Sequence, residues 1–114
     1  MRFSSKVSIV TGAASGIGRD TAVLLAREGA RVVAVDVDSG ALQRLAGEIG
    51  EAGGVCVAAP ADVLRADEVD RMVADVVARF GRVDVLVNGV GGSTVLERPD
   101  APIEEISPDD WERV

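Results

Sequence analysis

The chain contains no histidine and no tyrosine, and its one lysine, Lys6, precedes the first apolar run. Serine–histidine hydrolysis, histidine-ligated metal chemistry and a tyrosine–lysine proton relay are therefore excluded within these 114 residues. No residue is assigned as catalytic and none as a metal ligand. Cys56 is the sole cysteine and lies in the run Val55-Cys56-Val57-Ala58-Ala59, which reads as a buried structural thiol rather than a nucleophile. There is no basic cluster, and the net charge of −7 argues against nucleic acid or an anionic membrane as partner. With no signal peptide and no apolar run long enough to span a bilayer, the expected setting is a soluble, reducing, cytoplasmic one.

What the chain does have is concentrated near its start. Val7, Ile9 and Val10 form an apolar run of the kind found in buried parallel strands, and Thr11-Gly12-Ala13-Ala14-Ser15-Gly16-Ile17-Gly18 follows it. Beyond that turn, Ile17, Thr21, Leu24, Leu25 and Ala26 recur at helical spacing and predict the buried face of a helix reaching about Glu28, with Gly29 as its C-cap. The glycines have separate tasks: Gly12 for a sharp exit from the strand, Gly16 for room beside a ligand's phosphates, Gly18 for close helix–strand packing. Free amides at the helix start, with the helix dipole, attract an anion by about 0.3–1 kcal/mol. A glycine turn also serves any tight strand-to-helix connection. The second strand, Arg31 to Asp36, narrows the choice, because it ends in a carboxylate about 20 residues past the glycines, where a dinucleotide fold places its ribose acceptor.

The rest of the chain alternates in the same way. Asp38 or Ser39 caps a helix with Leu42, Leu45, Ala46 and Ile49 on its buried stripe, terminated by Gly50, Gly53 and Gly54. Val55 to Ala59 reads as a third strand and Pro60-Ala61-Asp62-Val63 as a loop. A helix then carries Val69, Met72, Val73, Val76, Val77 and Phe80 as a core stripe, and Gly81 ends it. Val83 to Val87 reads as a fourth strand leading into Asn88-Gly89-Val90-Gly91-Gly92. Alternating strands and helices imply a doubly wound parallel α/β sheet of order 3-2-1-4, with the ligand crevice at the carboxyl ends of strands one and four. Gly12 and Asn88 both belong there, although Asn-Gly is also a common turn pair. Ser93 to Pro108 reads as loop, with a last helix starting near Asp110-Trp111. At this length the chain is at most one domain, and short for a complete dinucleotide-binding enzyme.

Taken together, Thr11 to Gly18, Asp36, Asp62-Val63, Asp84 to Asn88 and the closing Asp110-Trp111-Glu112-Arg113-Val114 resemble the short-chain dehydrogenases/reductases in order and spacing. The resemblance implies a Rossmann fold in which Gly12, Ala14, Ser15, Gly16, Ile17 and Gly18 line the cofactor pyrophosphate. It also implies that Asp36 binds the adenosine ribose, Asp62 and Val63 flank the adenine, and Asn88 and Gly89 line the nicotinamide side. One local departure stands out: the family's usual Asn-Asn-Ala-Gly is Asn88-Gly89-Val90-Gly91 here, without the second asparagine side chain. The larger departure is that the family's catalytic asparagine, serine, tyrosine and lysine lie beyond the helix start at Trp111, and this sequence ends at Val114 before any of them. The expectation is the cofactor half of an oxidoreductase without its proton-transfer half, acting in the complete protein on a small alcohol or carbonyl substrate as a homo-oligomer.

Asp36 also bears on the cofactor. A 2′-phosphate about 4 Å from its carboxylate is repelled by roughly 4 kcal/mol at an effective dielectric near 20. Even a third of that gives about tenfold discrimination. Ser15 stands where, by the resemblance, NADP-preferring members often carry a basic residue, so NAD is expected over NADP. A free-standing NAD-binding module without catalysis is the alternative. An S-adenosylmethionine methyltransferase is a weaker third reading, because its usual glycine turn differs.

Overall fold

A computed structural model describes residues 2–89. Along the chain run β1 (Val7–Thr11), α1 (Gly16–Arg27), β2 (Arg31–Asp36), α2 (Ser39–Glu51), β3 (Val55–Pro60), α3 (Ala66–Phe80) and β4 (Val85–Asn88). The strands form one parallel sheet in the order β3-β2-β1-β4. This is the doubly wound order expected from the alternation of strands and helices. Its reversal lies between β1 and β4, whose last residues Thr11 and Asn88 stand side by side in register.

Both faces of the central strands are covered, which is why β1 and β2 are almost continuously apolar rather than alternating. On one face Val10, Val32 and Ala34 pack with Leu25 and Ala26 of α1 and with Leu42, Leu45 and Ile49 of α2. On the other, Val7, Ile9, Val33 and Val35 pack with Met72 and Val76 of α3. Burying a leucine such as Leu42 or Leu45 contributes about 1.5–3 kcal/mol, and both are fully enclosed.

Several expectations need correction. The buried face of α1 is Gly18, Ala22, Leu25 and Ala26, whereas Ile17 and Leu24 point outward at 83% and 59% exposure. The helix lies so close to the sheet at Gly18 that small residues at a spacing of four must face it, and larger ones turn away. In α3 the core stripe is narrower than its periodicity suggests: Met72 and Val76 are buried, Val69 and Phe80 half-buried, and Val73 and Val77 exposed. In α2 the capping choice falls on Asp38, whose carboxylate accepts the Ala41 amide at 3.0 Å. Ala46 is half-buried, and α2 continues through Gly50, so the turn falls on Gly53 at φ 88°.

Two strand limits also move. Pro60 belongs to β3, paired with Asp36; an edge strand tolerates proline at its end because the missing N–H interrupts little of the ladder. β4 starts at Val85 rather than Val83, because Asp84 meets Val7 with its side chain. The Asp84 carboxylate accepts the Val7 amide at 2.9 Å, and the Asp84 amide donates to the Val7 carbonyl at 2.8 Å. The expected turn at Val90 to Gly92, the loop from Ser93 to Pro108 and the helix start near Asp110-Trp111 lie outside the described residues.

Candidate functional site

The turn between β1 and α1 bends through two left-handed glycines, Gly12 at φ 66° and Gly16 at φ 62°. Only glycine adopts such angles without strain. A methyl group on Gly16 would meet nothing within 4 Å, so the space beside it is open. Gly18 is the opposite case: a Cβ there would lie 2.2 Å from the Gly12 carbonyl oxygen. Ser15 occupies the N-cap in an extended conformation but makes no side-chain capping bond, and the first turn of α1 holds no acidic residue. The leading amides of α1 therefore have no side-chain acceptor among the described residues. Ile17 sits exposed at the same helix start.

Asp36 stands directly beside this turn. Its Oδ2 accepts the Ala14 amide at 3.1 Å and its Oδ1 the Asp38 amide at 3.1 Å. Just before it in β2, the Val35 carbonyl accepts the Ala13 amide at 3.1 Å. The Asp36 carbonyl accepts the Ala61 amide at 3.0 Å, which brings the loop carrying Asp62 and Val63 to the same end of the sheet. That loop is held by a residue the sequence reading passed over. Glu68 Oε1 accepts the Asp62 amide at 3.1 Å, and Asp62 Oδ1 accepts the Leu64 amide at 2.9 Å. An acid in the first turn of α3 was the available signal, since such residues reach back to free amides before the helix.

At the end of β4 the chain closes tightly on β1. The Gly89 amide donates to the Thr11 carbonyl and to Thr11 Oγ1, both at 3.1 Å, while Thr11 Oγ1 donates to the Val87 carbonyl at 3.3 Å. A Cβ on Gly89 would lie 2.5 Å from the Thr11 oxygen and 3.2 Å from the Gly18 Cα. The missing second asparagine thus coincides with a close backbone approach of Thr11, Gly18 and Gly89, with the Thr11 hydroxyl bonded beside it. Thr11 belongs to the glycine-turn motif read from the sequence, but its side-chain bonds to the end of β4 had no local signal.

Among the described residues, two titratable groups are perturbed away from this end of the sheet. Hydrogen bonding from the Val7 amide, then the Arg82 guanidinium at 2.9 and 2.5 Å, holds Asp84 below the usual aspartate range. Burial pushes the Cys56 thiol up to about 11, so it stays protonated at neutral pH. It is half-buried rather than fully enclosed.

Residues 6–114 match the model of a protein family described as short chain dehydrogenase. The chain belongs to that family. It is 40% identical over 111 residues to D-threitol dehydrogenase of Mycolicibacterium smegmatis, an alignment covering 97% of this chain and 41% of the relative. It resembles the solved structure of a citronellol catabolism dehydrogenase of Pseudomonas aeruginosa PAO1 with a TM-score of 0.80 at 37% identity, covering 97% of this chain and 43% of the other. A metagenomic short-chain oxidoreductase solved in complex with NADP matches with a TM-score of 0.78 at 33% identity, over 99% of this chain and 49% of the other. The short-chain dehydrogenase chain described here thus spans less than half the length of these relatives.

Within this Rossmann fold, Arg19 on the first turn of α1 is paired with Glu48 of α2. A cavity of about 370 Å³ lies between β3 and α3, and one of about 260 Å³ between α1 and α2; neither includes a residue of the Gly12 to Gly18 turn. Among the described residues no group of three acids, cysteines or histidines is placed to hold a metal ion. No described helix is long and apolar enough to cross a membrane.

Proposed function

We propose that this chain forms the cofactor-binding part of an NAD-dependent short-chain dehydrogenase that exchanges a hydride between nicotinamide and an alcohol or carbonyl substrate. The observation that carries this reading is the Ala14–Asp36 hydrogen bond of 3.1 Å. It joins a turn with uncapped helix amides to a carboxylate of the right chemistry for a ribose diol, on one side of one sheet. The open space at Gly16 fits a phosphate group, and the amides of Ser15 to Gly18 are the donors to hold it. Asp36 would accept the adenosine ribose hydroxyls, Asp62 and Val63 would flank the adenine, and Asn88 with Gly89 would border the nicotinamide. NAD supplies the hydride chemistry when bound, while this chain's residues bind and orient it.

The preference for NAD over NADP rests on charge. Asp36 opposes a 2′-phosphate, Ser15 offers it no cation, and Arg19 is engaged by Glu48. The NADP of the metagenomic relative makes this the point to test. Titrating the intact protein with NADH and NADPH, read by reduced-nicotinamide fluorescence, should give at least about tenfold tighter NADH binding. Asp36→Ala should narrow that gap, and tighter NADPH binding by the wild type overturns the preference. The names of the relatives support a small-molecule alcohol or carbonyl substrate, and the family resemblance supports a homo-oligomer for the complete protein. Cofactor binding without turnover of any alcohol by the intact protein would favour a non-catalytic NAD-binding module.

A further inference from the structure

We propose that Asp36 is a positioning residue for the phosphate-binding turn as well as a ribose acceptor, so that one carboxylate sets the shape of both parts of the cofactor site. This rests on the reading of the crevice as a dinucleotide site. The turn from Gly12 to Gly16 contains two residues at positive φ, and a stretch with so much backbone freedom loses considerable entropy when ordered. Two consecutive amides tie it down. Ala13 donates to the Val35 carbonyl at 3.1 Å, a main-chain bond that any residue at that position would provide. Ala14 donates to Asp36 Oδ2, a bond that depends on which side chain stands there. Ser15, the next residue, contributes no side-chain capping bond of its own.

Asp36 is itself well anchored for this task. Its other carboxylate oxygen holds the Asp38 amide, and its carbonyl holds the Ala61 amide, so the residue is tied to the start of α2 and to the loop after β3. An ionised carboxylate offers about four acceptor directions. The amides of Ala14 and Asp38 engage two, which leaves two for ribose hydroxyls, and both roles fit one side chain. Removing the carboxylate therefore causes two losses, one through the ribose and one through the turn. An acid serving the ribose alone would cause only the first.

The two are separated by a cycle of protein and ligand changes. Wild type, Asp36→Ala and Asp36→Asn, each as the intact protein, are titrated with NADH and with its analogue whose adenosine lacks both ribose hydroxyls. Asp36→Ala should weaken the hydroxyl-free analogue by about tenfold, the scale of one charge-assisted hydrogen bond. Asp36→Asn should weaken that analogue less than Asp36→Ala does, since its one amide oxygen can still accept from Ala14 while its NH2 faces the Asp38 amide. Equal affinity of wild type and Asp36→Ala for the analogue overturns the positioning role and leaves the ribose role intact. Failure of the wild type to bind NADH overturns the dinucleotide reading itself. A ligand-free measurement stands beside these: the wild-type Ala14 amide should exchange with solvent at least about tenfold more slowly than in an unstructured peptide. Exchange at the unstructured rate overturns the proposal without recourse to any variant.

Discussion

Two helices on the same face of the sheet begin in opposite ways. α2 is closed by its own sequence, because the Asp38 carboxylate accepts the Ala41 amide and satisfies part of the helix start. α1 has Ser15 at the equivalent position, and that side chain caps nothing. Forgoing a cap costs about 1 kcal/mol, and leaves the donors that an anion needs. The glycines divide along the same line. Gly47 in α2 has open surroundings, whereas Gly18 in α1 is wedged against the Gly12 carbonyl. One helix start is closed by a side chain of its own, and the other leaves its leading amides without a side-chain acceptor among the described residues.

The sharpest way to break this contrast is to make the same substitution in both helices. Gly18→Ala should destabilise the intact protein by about 3 kcal/mol or more, because the methyl group meets rigid backbone, and NADH binding should be lost. Gly47→Ala should raise stability by up to about 1 kcal/mol through helix propensity alone. Denaturant unfolding of both variants checks the pair, and equal effects would remove the distinction. A smaller effect is expected from giving α1 the cap that α2 has. Ser15→Asp should stabilise the fold by up to about 1 kcal/mol while weakening NADH by about tenfold through repulsion of its phosphates. Unchanged NADH affinity in that variant would mean the phosphates bind elsewhere.

Removing the cap of α2 probes the other half of the comparison. Asp38→Ala should cost about 1 kcal/mol of stability in denaturant melts and leave NADH affinity within about twofold. A large loss of binding would show that the two helix starts are not independent. The smallest effect concerns acid, far from either helix start. The folded pKa of Asp84 is lowered below the ordinary 3.8 by the Val7 amide and Arg82, so its contribution is fully present above the ordinary value. It is lost as pH falls through the folded one. Asp84→Asn should flatten the loss of stability below about pH 4, and an unaltered acid profile would remove this role from Asp84.

Much of the fold was readable from local pattern. Arg31 to Asp36 is the second strand with the expected limits, the stripe of Leu42, Leu45 and Ile49 is the buried face of α2, and the strand order is the one implied by strand–helix alternation. Ile17, Leu24, Val73 and Val77 were misjudged for one reason. Periodicity identifies an apolar sector of a helix, but how deeply and at what rotation that sector meets the sheet depends on the contact distance. The close approach at Gly18 is what turns Ile17 and Leu24 outward. That a carboxylate closes β2 was legible from the strand's own pattern. Its bond to Ala14, 22 residues away in the chain, was not. Nor was the hold of Glu68 on Asp62, or the meeting of Thr11, Gly18 and Gly89.

The amino-acid order by itself determined the sheet, its parallel sense and the position of its switch point, because buried parallel strands, glycine turns and amphipathic helices each leave a short-range mark. Tertiary structure alone decided which face of α1 touches the sheet, where Asp36 spends its lone pairs, and why residue 89 has no room for a side chain. Those outcomes depend on backbone segments far apart in the chain coming within a few ångströms, and local spacing does not encode that distance.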